Sequence, residues 1–89
     1  MPHVIIPPPY RGPTGGEGEI HVDGRTVGDC LDRVGERFAG FREQIFDAEG
    51  KVHGFVSLFV NGDEVAREAV DTPVGESDRV EILAAIAGG

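Results

Sequence analysis

The chain has 89 residues, of which 16 are Asp or Glu and 8 are Lys or Arg, giving a formal net charge of −8. This length suits one domain with one small core and excludes a catalytic domain joined to a separate substrate domain. The acidic balance argues against nucleic-acid binding, because scattered basic residues cannot neutralise a run of phosphates, and it favours basic protein partners. A hydrophobic fraction of 39% argues against intrinsic disorder.

The sequence also predicts the compartment. No apolar run approaches the roughly 20 residues that span a bilayer, so we expect no membrane partner. Residues 1–7 have neither the basic start nor the apolar length of a signal peptide, so we expect no export. Cys30 is the single cysteine and permits no internal disulfide, which suits a reducing environment. We therefore expect a cytoplasmic protein.

The first half of the chain predicts two strands and one amphipathic helix. Residues 3–6 form a strand that ends at three successive prolines, and the Gly- and Pro-rich residues 10–18 form a surface loop. Residues 19–23 alternate apolar with polar, which predicts a strand with Ile20 and Val22 pointing inward. A helix follows, with Thr26 as its N-cap and Gly40 as its C-terminal stop. Its apolar stripe consists of Val27, Leu31, Val34 and Phe38.

The second half predicts a short helical turn at 41–46 and three more strands. Residues 54–60 are almost all apolar and predict a central strand, with Phe55, Ser57 and Phe59 facing outward. The inward side chains of this strand are Val56, Leu58 and Val60. Asn61-Gly62 predicts a tight hairpin into a strand at 64–66, followed by a loop at 70–77. The last strand, 78–84, directs Leu83 outward and Val80 and Ile82 inward.

This order of elements predicts an α+β roll, in which a mixed sheet of about five strands packs on one main helix. We assign residues 1–84 to this domain. Residues 85–89 then form a flexible tail that ends in Gly-Gly. Such a tail has small side chains and can enter a narrow channel, where the glycine backbone can lie close to a nucleotide phosphate. Its α-carboxylate is ionised at neutral pH and is a poor electrophile until it is activated.

Three stretches of the sequence resemble a known family. They are residues 26–31, residues 55–62 and the closing run Val80-Glu81-Ile82-Leu83-Ala84-Ala85-Ile86-Ala87-Gly88-Gly89. They are similar to the ubiquitin-like sulfur carriers of the MoaD/ThiS family, which have β-grasp folds. Residues 6–16 are similar to the cysteine-synthesis (CysO-type) subgroup. The chain departs from the usual family pattern at Ala84, where Pro is common, and at Ser57, where Asn is common.

The resemblance implies a carrier protein that is a cosubstrate and not an enzyme. It implies that Gly89 is adenylated by a ubiquitin-activating-enzyme-like protein and converted to a thiocarboxylate, which donates sulfur to a biosynthetic synthase. The activating enzyme uses ATP, and the chain itself binds no cofactor. The residues expected to occupy the partner's channel are Ala85, Ile86, Ala87 and Gly88.

The outward side chains predict a second partner-binding feature. If Phe55, Phe59 and Leu83 point away from the helix, they form an apolar patch that a small monomer does not normally leave bare. We call these three residues the apolar patch and expect partners to dock there. The alternative is that one of two loops, residues 10–16 or residues 67–77, covers them.

The remaining reactive side chains predict no catalytic or metal site. Cys30 lies beside the apolar stripe of the helix, where a cysteine is usually buried and inert. His3, His21 and His53 have no metal-ligand spacing with one another or with Cys30, so we expect no bound metal. Two other functions stay open: a protein modifier that forms isopeptide bonds through Gly89, and an interaction module that is never conjugated.

Overall fold

Prolines and glycines divide the chain into short strands and one long helix. The computed structural model describes residues 1–84, and within them the strands form one five-stranded sheet. The strands are β1 His3–Ile5, β2 Glu19–His21, β3 Val56–Val60, β4 Asp63–Val65 and β5 Arg79–Ala84. The helices are α1 Val27–Arg37 and α2 Phe41–Ile45, and a 3-10 turn covers Pro8–Tyr10.

The strand order is β2-β1-β5-β3-β4, so the last strand of the chain is the middle strand of the sheet. The pair β1–β5 is parallel, and the other neighbours are antiparallel. Parallel neighbours need a long crossover connection, and α1 lies in the chain that joins β1 to β5. The predicted α+β architecture is therefore confirmed, with a mixed sheet and one main helix.

The core lies between the sheet and the helices. Val4, Ile20, Leu58 and Ile82 from the strands are buried, as is Phe41 from α2. The α1 residues in the same cluster are Val27, Cys30, Leu31 and Val34. The alternation predicted for β2, β3 and β5 is thus confirmed on the core side, except that Val60 near the strand end is only half-buried.

Helix α1 begins as predicted and ends earlier. The Thr26 hydroxyl accepts a hydrogen bond from the Asp29 amide at 3.0 Å, so Thr26 is the N-cap. The helix ends at Arg37, and Phe38 is already extended. Gly40 was predicted to stop this helix, but with φ of 93° it instead starts α2. A left-handed residue reverses the chain there, so the two helices pack as separate elements.

Several element boundaries differ from the sequence prediction. Strand β3 begins at Val56 instead of residue 54, since residues 54 and 55 form a turn in which the Val56 amide bonds the His53 carbonyl at 3.0 Å. Strand β4 covers 63–65 instead of 64–66. The predicted hairpin is confirmed by positive φ at Asn61 (52°) and Gly62 (89°).

The predicted surface loop at 10–18 is more structured than its composition indicates. Tyr10 is buried in the core, and Thr14 is 3% exposed. The Thr14 hydroxyl lies 2.8 Å from the Glu17 carbonyl oxygen and donates to it, while Arg11 Nε donates to the Ile6 carbonyl at 2.9 Å. These bonds fix a compact turn where the sequence shows only Gly and Pro.

Candidate functional site

Strand β5 is the middle strand of the sheet, and its last residue, Ala84, is the root of the predicted tail. Residues 79–81 pair with β1, and residues 80–84 pair with β3, where Ala84 is opposite Val56. The ladder with β3 continues to Ala84, so the end of the strand has a fixed position in the sheet. The predicted tail residues Ala85, Ile86, Ala87, Gly88 and Gly89 lie outside the described residues, and their roles stay predictions.

The apolar patch lies at the same end of the sheet as this root. Leu83 is 41% exposed and Phe55 is 49% exposed, whereas Phe59 is half-buried. Ser57 is opposite Leu83, and Phe59 is opposite Glu81. Phe55 immediately precedes Val56, the partner of Ala84. Phe59 and Leu83 therefore lie on the outer face of the sheet, and Phe55 lies in the turn before β3, close to the tail root.

Neither of the loops that could have covered the patch lies over it. In the segment 67–77, the Val70 carbonyl accepts a hydrogen bond from the Gly28 amide at 2.7 Å, and the Val74 amide donates to the Arg25 carbonyl at 2.9 Å. This segment therefore packs on the start of α1. In the segment 10–16, Tyr10 enters the core and Pro13 lies against Gly40 between the helices. These contacts are on the helix side, and Phe55 and Leu83 stay exposed even though Arg67 reaches the Gly54 carbonyl beside Phe55.

Charged residues border the apolar patch. Glu81 and Glu64 are opposite Phe59 on its two neighbouring strands. Arg67 donates to the Gly54 carbonyl at 3.3 Å, next to Phe55. Two carboxylates on the face of a chain with net charge −8 favour a partner that presents basic groups around an apolar centre.

Cys30 does not offer an alternative place to carry sulfur. The side chain is fully buried, and this burial, with a smaller contribution from Asp29, raises the pKa of the thiol to about 11. The thiolate is the nucleophilic form, so the thiol is unreactive at neutral pH. The chain has no other cysteine.

The histidines differ from the sequence prediction. His3 and His21 are 18 positions apart in the chain, yet they are directly opposite on β1 and β2, with Glu19 two residues before His21. The Glu19 carboxylate oxygen lies 2.7 Å from His3 Nδ1 and 2.9 Å from His21 Nε2. These two hydrogen bonds, His3 first, lower the pKa of Glu19.

The structure therefore brings together two histidines whose spacing along the chain does not indicate it. Spacing along the chain does not report proximity across an antiparallel pair, whose register sets it. Pairing the two predicted strands with each other is the signal that could have placed His3 and His21 side by side. His53 lies elsewhere and stacks on Phe55 with ring centroids 4.7 Å apart.

In the part of the chain that the structure describes, no helix has both the length and the apolar character needed to cross a membrane.

The mixed sheet packed on one main helix is the ubiquitin-like β-grasp fold. The chain belongs to the ThiS family, whose model matches residues 5–89. It is 34% identical over 89 residues to sulfur carrier protein CysO of Mycobacterium tuberculosis, covering 97% of this chain and 96% of that protein. The resemblance to ubiquitin-like sulfur carriers is confirmed, and these relatives are named as carriers, not as enzymes.

Solved structures agree with this assignment. A chain of the Amycolatopsis orientalis BexX/CysO complex superposes with a TM-score of 0.87 at 34% identity, with full coverage of both chains. Small archaeal modifier protein 1 of Haloferax volcanii superposes with a TM-score of 0.79 at 18% identity, covering 96% of this chain and 97% of its own. The second likeness shows the shared fold alone.

Proposed function

We propose that this chain, a sulfur carrier of the ThiS family, takes up sulfur at the carboxyl group of Gly89. The observation that carries the proposal is that β5, the middle strand of the sheet, ends at Ala84 beside the exposed Phe55 and Leu83. The family model matches the chain through residue 89, which supports Gly89 as the reactive residue. The buried Cys30 supports it as well, because no other sulfur-bearing side chain competes except the thioether of Met1.

The chemistry proceeds in two substitutions. The Gly89 carboxylate attacks the α-phosphorus of ATP held by an activating enzyme, and pyrophosphate leaves. Hydrosulfide then attacks the acyl carbon of the adenylate, and AMP leaves as the thiocarboxylate forms. Adenylation is needed because the ionised carboxylate is a poor electrophile. ATP is therefore a substrate of the activating enzyme and not a cofactor of this chain.

The apolar patch is the docking surface in this proposal. The activating adenylyltransferase and the sulfur-accepting synthase each bind at Phe55, Phe59 and Leu83 while the tail residues Ala85–Gly89 enter the enzyme. Exposed aromatic and aliphatic residues of this kind are typical of interface centres. The complex of the Amycolatopsis CysO with BexX supports a carrier that acts on a partner protein.

The similarity to CysO supports a cysteine precursor as the sulfur acceptor. Precursors of molybdopterin, of thiazole and of other sulfur-containing metabolites are the alternatives. In each case the thiocarboxylate sulfur attacks the acceptor and displaces its leaving group. Hydrolysis of the resulting acyl bond returns the Gly89 carboxylate for another cycle.

Mass spectrometry tests the proposal. The chain, with its own carboxyl terminus, is incubated with ATP, a ubiquitin-activating-enzyme-like adenylyltransferase and sulfide. The intact mass and the C-terminal peptide are then measured. We expect an oxygen-to-sulfur exchange at Gly89 that a thiol-selective alkylating reagent traps. The exchange must be located in the peptide, since oxidation of Met1 adds nearly the same mass.

Two variants serve as matched controls. Deletion of Gly89 should abolish activation, and Cys30→Ala should leave it unchanged, because the buried thiol takes no part. Sulfur found on Cys30, or unchanged activation without Gly89, would overturn the proposal. An adenylate that takes up no sulfur but forms protein conjugates would identify a modifier. The absence of any activation would identify a binding module.

A further inference from the structure

The edge of the sheet formed by β1 and β2 carries a second cluster of reactive side chains. His3 Nδ1, His21 Nε2 and a Glu19 carboxylate oxygen all lie within 4.8 Å of one another. The two imidazole rings are tilted at 52° with centroids 4.1 Å apart, so they approach the carboxylate from adjacent positions. Strand pairing holds this arrangement, because His3 is opposite His21 and Ile5 is opposite Glu19.

The donor set has the composition of a transition-metal site. Two imidazole nitrogens and one carboxylate suit Zn²⁺ and its neighbours in the first transition row, whereas Mg²⁺ and Ca²⁺ prefer oxygen ligands. Ligands about 2.0–2.1 Å from a tetrahedral Zn²⁺ lie roughly 3.3 Å from each other. The present N–O distances are 2.7 and 2.9 Å and must lengthen by about 0.5 Å to admit an ion, while the two imidazole nitrogens lie within 4.8 Å of each other and must take up the same spacing.

We propose that His3, Glu19 and His21 form a binding site for Zn²⁺ or a similar transition dication. The site has three protein ligands, and its fourth position faces solvent, because Glu19 and His21 are exposed and His3 is partly so. Water completes the coordination in the free protein, as is usual for three-ligand zinc sites.

The surrounding charges permit a cation here. The net charge of −8 favours cation approach, and Glu19 provides one full negative charge at the site. Two arginines are opposing cations: Arg79 is in register with His3 on β5, and Arg37 donates to the His21 backbone carbonyl at 2.9 Å. Both are exposed, and their long side chains can keep the guanidinium groups in water away from the ion.

The site is separate from the sulfur-transfer end of the molecule. His3 is in register with Arg79 at the start of β5, and the tail root is Ala84 at the end of that strand. A rise of about 3.3 Å per residue over this stretch places the two roughly 16 Å apart. Metal binding therefore uses none of the residues assigned to docking or to thiocarboxylate formation, and the two proposals can fail independently.

Calorimetric titration of the untagged chain with ZnCl₂ tests the site. We expect one Zn²⁺ per chain and no comparable heat with MgCl₂. In the same wild-type protein, NMR should show the imidazole resonances of His3 and His21 shifting on addition of Zn²⁺ and those of His53 staying in place. This second measurement does not depend on whether any variant folds.

Single substitutions assign the ligands. His21→Gln and Glu19→Gln should each weaken zinc binding by more than about 10- to 100-fold. That range is typical for loss of a residue that only orients a metal ligand, and His21 and Glu19 are proposed as ligands themselves. His53→Gln is the matched control and should bind as wild type. Absence of zinc binding, shifts confined to His53, or equal weakening by His53→Gln would overturn the site. The cluster would then be a hydrogen-bonded network that only joins β1 to β2.

Discussion

Truncation of the two exposed side chains in the apolar patch tests how the carrier meets its activating enzyme. In Phe55→Ala/Leu83→Ala, a partner can no longer bury these two side chains. Complete burial of one such residue contributes about 1.5–3 kcal/mol, and 49% of Phe55 and 41% of Leu83 remain exposed in the free chain. The part left for a partner to bury is therefore worth about 2 kcal/mol for the pair, or about 30-fold in affinity.

The assay is a direct binding titration of the folded variant against the adenylyltransferase, with stability followed separately by urea denaturation. The buried parts of both side chains also support the fold, so some loss of stability is expected. The affinity is unaffected by that loss as long as nearly all molecules stay folded, which typical stabilities of 5–15 kcal/mol allow.

Phe46→Ala is the matched control for this experiment. Phe46 is a half-buried phenylalanine beside α2, with the Arg42 guanidinium 4.7 Å from its ring centroid, and it lies outside the patch. Its truncation should lower stability and leave affinity unchanged. If the double variant binds like wild type, or if Phe46→Ala weakens binding equally, the assignment of the docking surface is refuted.

Two further predictions concern stability. Thr26→Ala removes the hydrogen-bond acceptor for the Asp29 amide and should lower the free energy of unfolding, measured by urea denaturation, by about 1 kcal/mol. Thr26→Ser keeps the hydroxyl and should retain most of that stability. Equal losses in the two variants would contradict the capping role. Hydrogen bonds from the Gly75 amide and the Asn61 amide side chain lower the pKa of Asp78. At pH values above the ordinary Asp pKa of about 3.9, wild type should therefore be more stable than Asp78→Asn. This difference in stability should vanish as the pH falls through the lowered pKa of Asp78. A difference that does not change with pH would contradict the prediction.

The helix and the alternation of the strands followed from local patterns. The spacing of Val27, Leu31 and Val34 and the alternation around Ile82 require only the periods of a helix and a strand, and the structure confirms both. The Asn61-Gly62 hairpin was equally local, because its turn type depends on two residues that tolerate positive φ.

Features that depend on distant partners were not predictable in the same way. The proximity of His3, Glu19 and His21 depends on the register between β1 and β2, which periodicity does not report. The end of α1 before Gly40 depends on how α2 packs, and the order in residues 10–18 depends on Thr14 finding two carbonyls. The role of Gly89 came from resemblance, since the composition of a tail does not specify its chemistry.

The central position of β5 has a mechanical consequence. In the proposed complex, a partner draws the terminus into its channel and pulls along the axis of β5. The hydrogen bonds to β1 and β3 lie across that axis, so they are loaded together in shear and not opened one at a time. A force on the terminus is thus shared by two ladders of hydrogen bonds. The domain therefore resists unfolding from its last strand.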